Sequence, residues 1–300
     1  MEEPLRVGLI GAGPWARRVH APGLADHPGI RLTSVWSRRA DAARDLAHAH
    51  GAQPAADLGE LIGNVDAVSF AVPPSVQAEL AGQAVAARRH VILEKPLAST
   101  VDEAERLAGA IADAGVVGLV VLTRRFAPET ASWLDEVDRV GGWSGGSARW
   151  LSGALLGDTY GGSAWRQAEG ALADIGPHVL DLLDAALGPI TEVLAASHRP
   201  EHDLWHVLLG HADGATSTAA LALRIPLGPV LGPTAVEFAV YGEHGMRTLP
   251  GRATPALDCY TCLLDDFVAM VDCGKTDHAC DAQRGLHLQR VLDAIQRKID

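Results

Sequence analysis

The sequence predicts an α/β protein with an N-terminal doubly wound parallel sheet and a C-terminal α+β domain whose open sheet is mostly antiparallel. Two observations support this class. Up to Leu122, short apolar runs alternate with stretches of helical periodicity, the pattern of βαβ crossovers. Beyond Leu122, a long helix is followed by strands separated only by turns, which is typical of antiparallel pairing. We therefore expect two domains, 1–122 and 123–300.

In the N-terminal domain, each predicted strand is followed by a predicted helix. The strands are expected at 5–10, 31–36, 53–54, 66–72, 90–93 and 116–122. The helices are expected from the glycine turn after the first strand to residue 24, and at 40–49, 75–88 and 101–114. Right-handed crossovers between these strands would place helices on both faces of the sheet.

In the C-terminal domain, a helix opens near Pro128, and a glycine-rich turn at 141–146 leads into a strand at 148–150. A helix over 170–187 precedes four strands, at 191–197, 204–211, 215–225 and 235–241. Helical spacing at 259–274 and 281–298 predicts two closing helices.

Charge and hydropathy restrict the partners. The formal net charge of −12 argues against nucleic acid or an anionic membrane as the main partner, because both are bound by clustered positive charge. No apolar run has the length of a membrane span, and the acidic start Met1-Glu2-Glu3 is unlike a basic secretory signal. We expect a cytoplasmic protein.

The four cysteines offer a superficial metal pattern, since Cys259 and Cys262 form a Cys-x-x-Cys pair. Apolar residues recur around them at helical spacing, so both thiols are expected on a buried helix face. We expect reduced thiols and no metal.

A glycine turn lies directly between the first strand and the first helix. Gly11-Ala12-Gly13-Pro14-Trp15 has the first two glycines of a dinucleotide-binding fingerprint, and Ala16 takes the third position, which mainly needs a small residue. Such a turn aims backbone N–H groups and a helix N-terminus at a pyrophosphate. A tight turn without a ligand is the alternative.

The residues after the second strand indicate which dinucleotide binds. An acidic side chain there would bind the ribose diol of NAD, but this chain has Ser37-Arg38-Arg39. A hydroxyl and two guanidinium groups suit a ribose phosphate. We therefore predict a preference for NADP(H), with NAD(H) possible; two solvated arginines are the alternative.

Lys95 follows the apolar run 90–93 and is one of only three lysines in the chain. Unlike arginine, a lysine can exchange protons near neutral pH when burial lowers its pKa. The alternative is a surface lysine at a strand end.

Two motifs make the chain resemble the Gfo/Idh/MocA family of oxidoreductases over nearly its whole length. Glu94-Lys95-Pro96 looks like the family motif beside the nicotinamide, and Asp174-Ile175-Gly176-Pro177-His178 looks like the Asp-x-Gly-x-His signature of the substrate domain. The resemblance implies a Rossmann domain followed by a substrate-binding and oligomerisation domain. It also implies that the loop at Val72, Pro73, Pro74 and Gln77 lies near the nicotinamide ribose; Gln77 stands where histidine is common.

The resemblance implies hydride transfer at a carbon whose oxygen gains or loses a proton. We predict His178 as general acid/base, Lys95 as polariser of the substrate oxygen and proton partner, and Asp174 as orienter of the histidine or of a substrate hydroxyl. A helix-surface charge pair, or metal ligation by Asp174, His178 and Asp181, is the alternative at these positions.

Further residues are candidates for substrate contact. They are Arg125, Tyr160, Trp165 and Arg166, together with Asp174 and His178. Core packing is the alternative for Trp165, and a neighbouring carboxylate is an alternative partner for Arg125. His20 has no convincing ligand spacing and is expected to be a structural or surface residue.

The sequence thus predicts an NADP(H)-dependent oxidoreductase acting on a sugar, polyol or related small molecule. A redox-neutral enzyme of the glycosidase type that retains its nicotinamide is one alternative, and a non-catalytic dinucleotide-binding sensor is another. The resemblance also implies a homodimer or homotetramer.

Overall fold

A computed structural model of the chain describes residues 3–157, 161–228 and 234–299. The chain divides into two compact units. The first comprises Met1–Ala127 and Thr254–His287, and the second comprises Pro128–Ala253 and Leu288–Asp300. The sequence analysis divided the chain once, after residue 122, whereas the segment 254–287 returns to the first unit.

The first unit contains a six-stranded parallel sheet, as predicted. Its strands are β1 Leu5–Ile10, β2 Ile30–Trp36, β3 Gln53–Pro54, β4 Ala67–Phe70, β5 His90–Leu93 and β6 Gly118–Val120. Their order in the sheet is β3-β2-β1-β4-β5-β6. The order reverses between β1 and β4, and in such sheets ligands bind outside the carboxyl ends of the strands at this switch point.

Five helices connect these strands. They are α1 Ala21–Asp26, α2 Ala40–Ala49, α3 Leu58–Gly63, α4 Pro74–Ala86 and α5 Val101–Ala114. The short α3 was not predicted, although Asp57 is a good N-cap whose carboxylate accepts the N–H of Glu60 at 2.8 Å.

The helix after the glycine loop contains an irregularity. A π-helical turn spans Ala16–His20 just before α1, and its last hydrogen bond runs from the N–H of Ala21 to the carbonyl of Ala16. A π turn is uncommon, and single π turns are frequent at functional sites.

The second unit contains a six-stranded, mostly antiparallel sheet, which confirms the predicted class. Its strands are β7 Trp143–Ser152, β8 Ile190–Arg199, β9 Leu204–His211, β10 Thr216–Ala222, β11 Thr234–Gly242 and β12 Gly245–Thr248. Their order is β12-β11-β7-β10-β9-β8. Only β10 and β7 pair in parallel; the other pairs are antiparallel.

The helix predicted over 170–187 is divided at Ile175, and its first residues belong to a helix that begins earlier, at Ala164. The structure has α6 Pro128–Val140, α7 Ala164–Asp174 and α8 Gly176–Leu187 in this unit, with a kink inside α7 at Gly170, whose φ is 64°. A Cβ at position 170 would lie 2.4 Å from Oδ1 of Asp203, so this carboxylate occupies the space that a side chain would need. The apolar periodicity of the sequence continues from α7 into α8, so it does not indicate where one helix ends and the next begins.

The closing helices are α9 Ala256–Cys273 and α10 Ala282–Arg297. In α9, Cys259 is buried and Cys262 is partly exposed, so only one of the two predicted thiols is fully in the core. Tyr260 of α9 packs against Gly23 of α1 within the first unit. Among the described helices, none is long and apolar enough to cross a membrane.

Candidate functional site

A cavity of about 500 Å³ opens in the first unit where β1, β2 and β4 end. We call it the glycine-loop cavity. Three segments line it: Gly11 to Gly13, Trp36 to Arg39, and Ala71 to Pro73, with Val76, Glu79 and Leu80 from α4. Seven of the predicted cofactor residues are therefore on its wall: Gly11, Gly13, Ser37, Arg38, Arg39, Val72 and Pro73.

The two glycines of the loop serve different purposes. Gly11 has a φ of +119°, and a Cβ there would lie 2.3 Å from the carbonyl oxygen of Ala71, so the close approach of two backbones excludes any side chain. A Cβ on Gly13 would meet no described atom within 4 Å and would project into open space. The chain therefore leaves room beside the loop, as a dinucleotide pyrophosphate requires, and the residues fit such a cofactor.

The Ser37-Arg38-Arg39 segment forms a second wall, just before α2. The Ser37 hydroxyl donates to the carbonyl oxygen of Arg39 at 2.8 Å, which shapes the turn. Both arginines are exposed, and neither forms an ion pair with a carboxylate among the described residues. The nearby Asp41 pairs instead with Arg44 at 3.1 Å. An acidic side chain, Glu79, is also on the wall, but it belongs to α4.

The turn that carries Lys95 is held by Gln77. This side chain is completely buried; its Oε1 accepts the N–H of Glu94 at 2.8 Å, and its Nε2 donates to the carbonyl of Glu94 at 2.7 Å and to that of Leu97 at 3.1 Å. Because these backbone groups occupy the amide, we expect Gln77 to affect cofactor binding through the turn and not by a direct hydrogen bond.

The remaining predicted cofactor residues lie off the cavity wall. Pro14 is exposed, and Pro74 is buried at the start of α4. Trp15 donates its indole N–H to Glu94 Oε1 at 2.7 Å, so these two predicted cofactor residues contact each other. Lys95 is partly exposed and is joined to Pro96 by a cis peptide bond.

Behind Glu94 lies a buried histidine, His20. Its Nε2 is 2.9 Å from Glu94 Oε1, and its Nδ1 is 2.8 Å from the Ser69 hydroxyl. The Tyr260 hydroxyl is 3.1 Å from that of Ser69, and burial raises the pKa of Tyr260 far above its ordinary value. The sequence analysis missed this network because its members are spread over four separate segments.

In the second unit, α7 brings three predicted substrate residues together. Arg166 Nε donates to Asp174 Oδ2 at 3.0 Å, and both side chains are only 15% exposed. The Arg166 guanidinium also lies 4.6 Å from the centre of the Trp165 ring, a cation–π distance. Asp174 is thus a fixed carboxylate at the end of α7.

His178 lies in the first turn of α8 and is buried. Its ring stacks on Trp150 of β7, with ring centres 5.9 Å apart and planes inclined by 24°. Trp150 is a neighbour that the sequence did not reveal, because it appears there only as a strand residue. Stacking limits how the imidazole can rotate.

Tyr160 lies outside the described residues. Arg125 is partly buried in the turn after β6, where its N–H donates to the carbonyl of Leu122 at 2.8 Å. Within the described chain, no three His, Cys, Asp or Glu side chains are grouped so that they could hold a metal ion.

The glycine loop, its cavity and the order of the parallel sheet define a dinucleotide-binding oxidoreductase fold. Residues 5–122 match a family described as "Oxidoreductase family, NAD-binding Rossmann fold", and residues 146–248 match the "GFO/IDH/MocA C-terminal domain". The chain belongs to the Gfo/Idh/MocA family of oxidoreductases.

Among curated relatives, dTDP-3,4-didehydro-2,6-dideoxy-alpha-D-glucose 3-reductase of Actinomadura kijaniata is 30% identical over 254 residues, which are 83% of this chain and 74% of the relative. Levoglucosan dehydrogenase in complex with NADH and levoglucosan is similar in structure, with a TM-score of 0.84, 20% identity, and coverage of 99% of this chain and 97% of that one. A 3-ketoreductase from A. kijaniata, in complex with TDP-benzene and NADP, has a TM-score of 0.78 at 22% identity and covers 99% and 98%. At these identities, the structural similarity shows the fold alone.

Proposed function

We propose that this protein is an NADP(H)-dependent oxidoreductase that transfers a hydride between the nicotinamide and a hydroxyl or carbonyl carbon of a sugar, a polyol or a related small molecule. The observation that carries the cofactor assignment is the position of Arg38 and Arg39 on the wall of the glycine-loop cavity.

The charge of the cavity wall supports NADP(H) over NAD(H). A phosphate on the adenosine ribose would receive charge-assisted hydrogen bonds from Arg38 and Arg39 and would lie before α2, whose first N–H groups have no partner within the helix. An NAD-binding site instead uses a carboxylate at the end of β2 for the ribose diol, and this chain has none at positions 37–39. One similar structure contains NADH and another contains NADP, so the similarities do not decide the cofactor. The cofactor preference is therefore inferred from Arg38 and Arg39.

The chain's own residues would handle the proton. When bound, the cofactor donates or accepts a hydride at C4 of its nicotinamide. In the direction of reduction, the oxygen of the substrate carbonyl gains a proton as its carbon gains the hydride. We assign Lys95 Nζ to polarising that oxygen, His178 to supplying the proton, and Asp174 to orienting His178 or a substrate hydroxyl. Stacking on Trp150 and pairing with Arg166 hold the last two side chains in place.

The proposed substrate class is supported by a relative that is 30% identical over 83% of this chain. That protein is named as a reductase of a dTDP-linked keto sugar, and other relatives are named as dehydrogenases acting on sugars. A keto sugar, free or nucleotide-linked, is therefore the first compound to test as an acceptor for hydride.

The experiment combines binding with turnover. NADPH and NADH are titrated against the protein by fluorescence, and candidate hydroxyl and carbonyl compounds are then screened for a change in the absorbance of the reduced nicotinamide. We expect NADPH to bind more tightly and at least one sugar derivative to oxidise it. Equal affinities for the two cofactors would contradict the cofactor assignment. Product formation without net nicotinamide oxidation would favour the redox-neutral alternative, and tight binding with no turnover on a broad panel would favour a sensor.

A further inference from the structure

We propose that the π-helical turn at Ala16–His20 couples the glycine loop to the turn that carries Lys95, through the carboxylate of Glu94. In this network, Trp15, His20 and Glu94 are positioning residues that act on Lys95 and on the loop. The inference rests on the proposed function only for the role of Lys95; the coupling itself can be tested without a substrate.

The geometry of the π turn allows Trp15 and His20 to contact the same carboxylate. Trp15 and His20 are five residues apart, and on a regular α-helix their side chains would point in directions about 140° apart. The π turn has more residues per turn, so residues at this spacing lie on one side of the helix. Both side chains accordingly reach the same atom, Glu94 Oε1, at 2.7 and 2.9 Å.

Hydrogen-bond chemistry assigns a donor and an acceptor to each contact of Glu94 and His20. A carboxylate oxygen accepts, so Trp15 Nε1 and His20 Nε2 both donate to Glu94. In a neutral imidazole, Nδ1 of His20 then accepts a hydrogen bond from a hydroxyl, and the Ser69 hydroxyl at 2.8 Å and the Tyr260 hydroxyl at 3.2 Å are both in reach. The histidine is completely buried, so its ring is fixed on both sides.

Chain connectivity links Trp15 to the glycine loop and Glu94 to Lys95. Trp15 is two residues from Gly13, whose open side faces the glycine-loop cavity. Glu94 directly precedes Lys95, and the backbone around it is held on its other side by Gln77. A shift of the glycine loop on cofactor binding would therefore move Glu94, and Lys95 with it.

The arrangement of Ser69, His20 and Glu94 resembles the order of a hydrolytic triad, but Ser69 is completely buried and no substrate could reach its hydroxyl. A role in positioning Glu94 and Lys95 accounts for these contacts, and no nucleophilic reaction of Ser69 is required.

The test uses the small number of lysines. The chain has three, so acetic anhydride labelling followed by peptide mass spectrometry gives the reactivity of the Lys95 amine, with Lys275 and Lys298 as internal references. The variants are Trp15→Phe, which keeps an aromatic ring but is smaller and lacks the indole N–H, and His20→Leu, with His20→Gln as a conservative variant that keeps a side-chain donor. Trp143→Phe is the matched control, because its indole also donates one hydrogen bond, at 2.8 Å to the carbonyl of Val137 in the second unit.

We expect Trp15→Phe and His20→Leu to change the labelling rate of Lys95 by about threefold or more, the size of effect typical of residues that share a hydrogen-bonded partner. His20→Gln should restore part of the difference, and Trp143→Phe should leave Lys95 unchanged. An unchanged labelling rate in Trp15→Phe and His20→Leu would overturn the proposal, as would an equal change at Lys275 and Lys298.

A double-variant cycle gives an independent readout. The affinity for NADPH is measured in Trp15→Phe, in Glu94→Gln and in the combined variant. Coupling predicts that the combined loss is smaller than the product of the single losses by about threefold or more. Independent, multiplicative losses would mean that Trp15 acts on the cofactor without Glu94, and would overturn the proposal. If the protein binds no nicotinamide cofactor, the proposed function fails, while the labelling experiment without cofactor still decides the coupling.

Discussion

The carboxylate of Asp203 accepts a hydrogen bond from the backbone N–H of Ala171, 2.7 Å away. This contact is at the kink of α7, just before the segment that leads to Asp174 and His178. Asp203 has a positive φ of 48° and is buried, and Gly170 leaves the space that its carboxylate fills. The contact fixes the point at which the final part of α7 begins. It therefore also positions the backbone that carries the two predicted catalytic side chains, Asp174 and His178.

Asp203 should make the stability of the protein depend on pH. Burial raises the pKa of its carboxyl above the ordinary 3.8, against the opposing effects of the Ala171 N–H, Trp205, His198 and Arg224. Below pH 3.8, the carboxyl is protonated in both states and the shift contributes nothing. As the pH rises through this value, the unfolded chain loses the proton first, so the free energy of unfolding falls until the folded carboxyl also ionises.

The variant Asp203→Asn removes this titration and keeps an oxygen that can accept from Ala171. Urea unfolding of both proteins from about pH 4 upward should show the wild type losing stability relative to Asp203→Asn. A stability difference that is constant over this range, or one that increasingly favours the wild type, would contradict the effect of burial on Asp203.

The Arg38→Ala/Arg39→Ala variant should lose affinity for NADPH selectively. Two charge-assisted hydrogen bonds to a ribose phosphate correspond to a loss of about 10- to 100-fold in affinity, while NADH should bind within about threefold of the wild type. Fluorescence titration measures both. The matched control is Arg44→Ala, which removes an arginine of α2 that pairs with Asp41 and is absent from the cavity wall. Equal losses for the two cofactors would show that the arginines do not recognise the phosphate.

Gly13→Ala should weaken binding of both dinucleotides without destabilising the fold. The added Cβ contacts no described atom within 4 Å, so the folded protein accommodates it, but it occupies the space beside the loop. We expect about a tenfold loss of affinity for NADPH and NADH alike, a typical cost of overpacking. Gly82→Ala is the control, because its Cβ also meets nothing within 4 Å and it lies on α4 away from the cavity wall. Unchanged affinity in Gly13→Ala would exclude a pyrophosphate at this position.

Arg166→Met should lower the free energy of unfolding by about 2 kcal/mol, because it leaves the largely buried Asp174 carboxylate without its guanidinium. Turnover should fall as well, whereas the affinity for NADPH should be preserved because Arg166 is absent from the wall of the glycine-loop cavity. The double variant Arg166→Met/Asp174→Asn also removes the carboxylate charge with which Arg166 pairs, and it should recover stability but not turnover. If Arg166→Met alone keeps full turnover, Asp174 does not need this partner.

The elements of the parallel sheet could be predicted because local signals agree there. Helix α5 begins and ends where expected, since Thr100 and Glu103 form a capping box and Gly115 adopts the left-handed conformation that ends a helix. The kink at Gly170 was not predicted because its cause is remote: Asp203, which accepts the N–H of Ala171, lies 32 residues further along the chain.

The candidate site likewise contains some residues whose grouping the sequence could predict and others whose role it could not. Gly11, Gly13, Arg38 and Arg39 follow strands whose ends meet at one edge of the sheet, so residue type and position predicted their grouping. The role of His20 could not be predicted, because its partners come from β4, from the turn after β5 and from α9, and because its direction depends on a π turn. No periodicity in the sequence distinguishes that turn from a regular helix.

Net hydride transfer assisted by Lys95 can be followed directly with an isotopic label. The protein is incubated with NADPH deuterated at the transferable C4 position and with the best carbonyl substrate from the screen, and the product is analysed by mass spectrometry. We expect the product to carry the deuterium in proportion to the NADP⁺ formed, and we expect Lys95→Ala still to bind NADPH but to transfer label at least about 100-fold more slowly. Unlabelled product, or undiminished transfer by Lys95→Ala, would contradict hydride transfer assisted by Lys95.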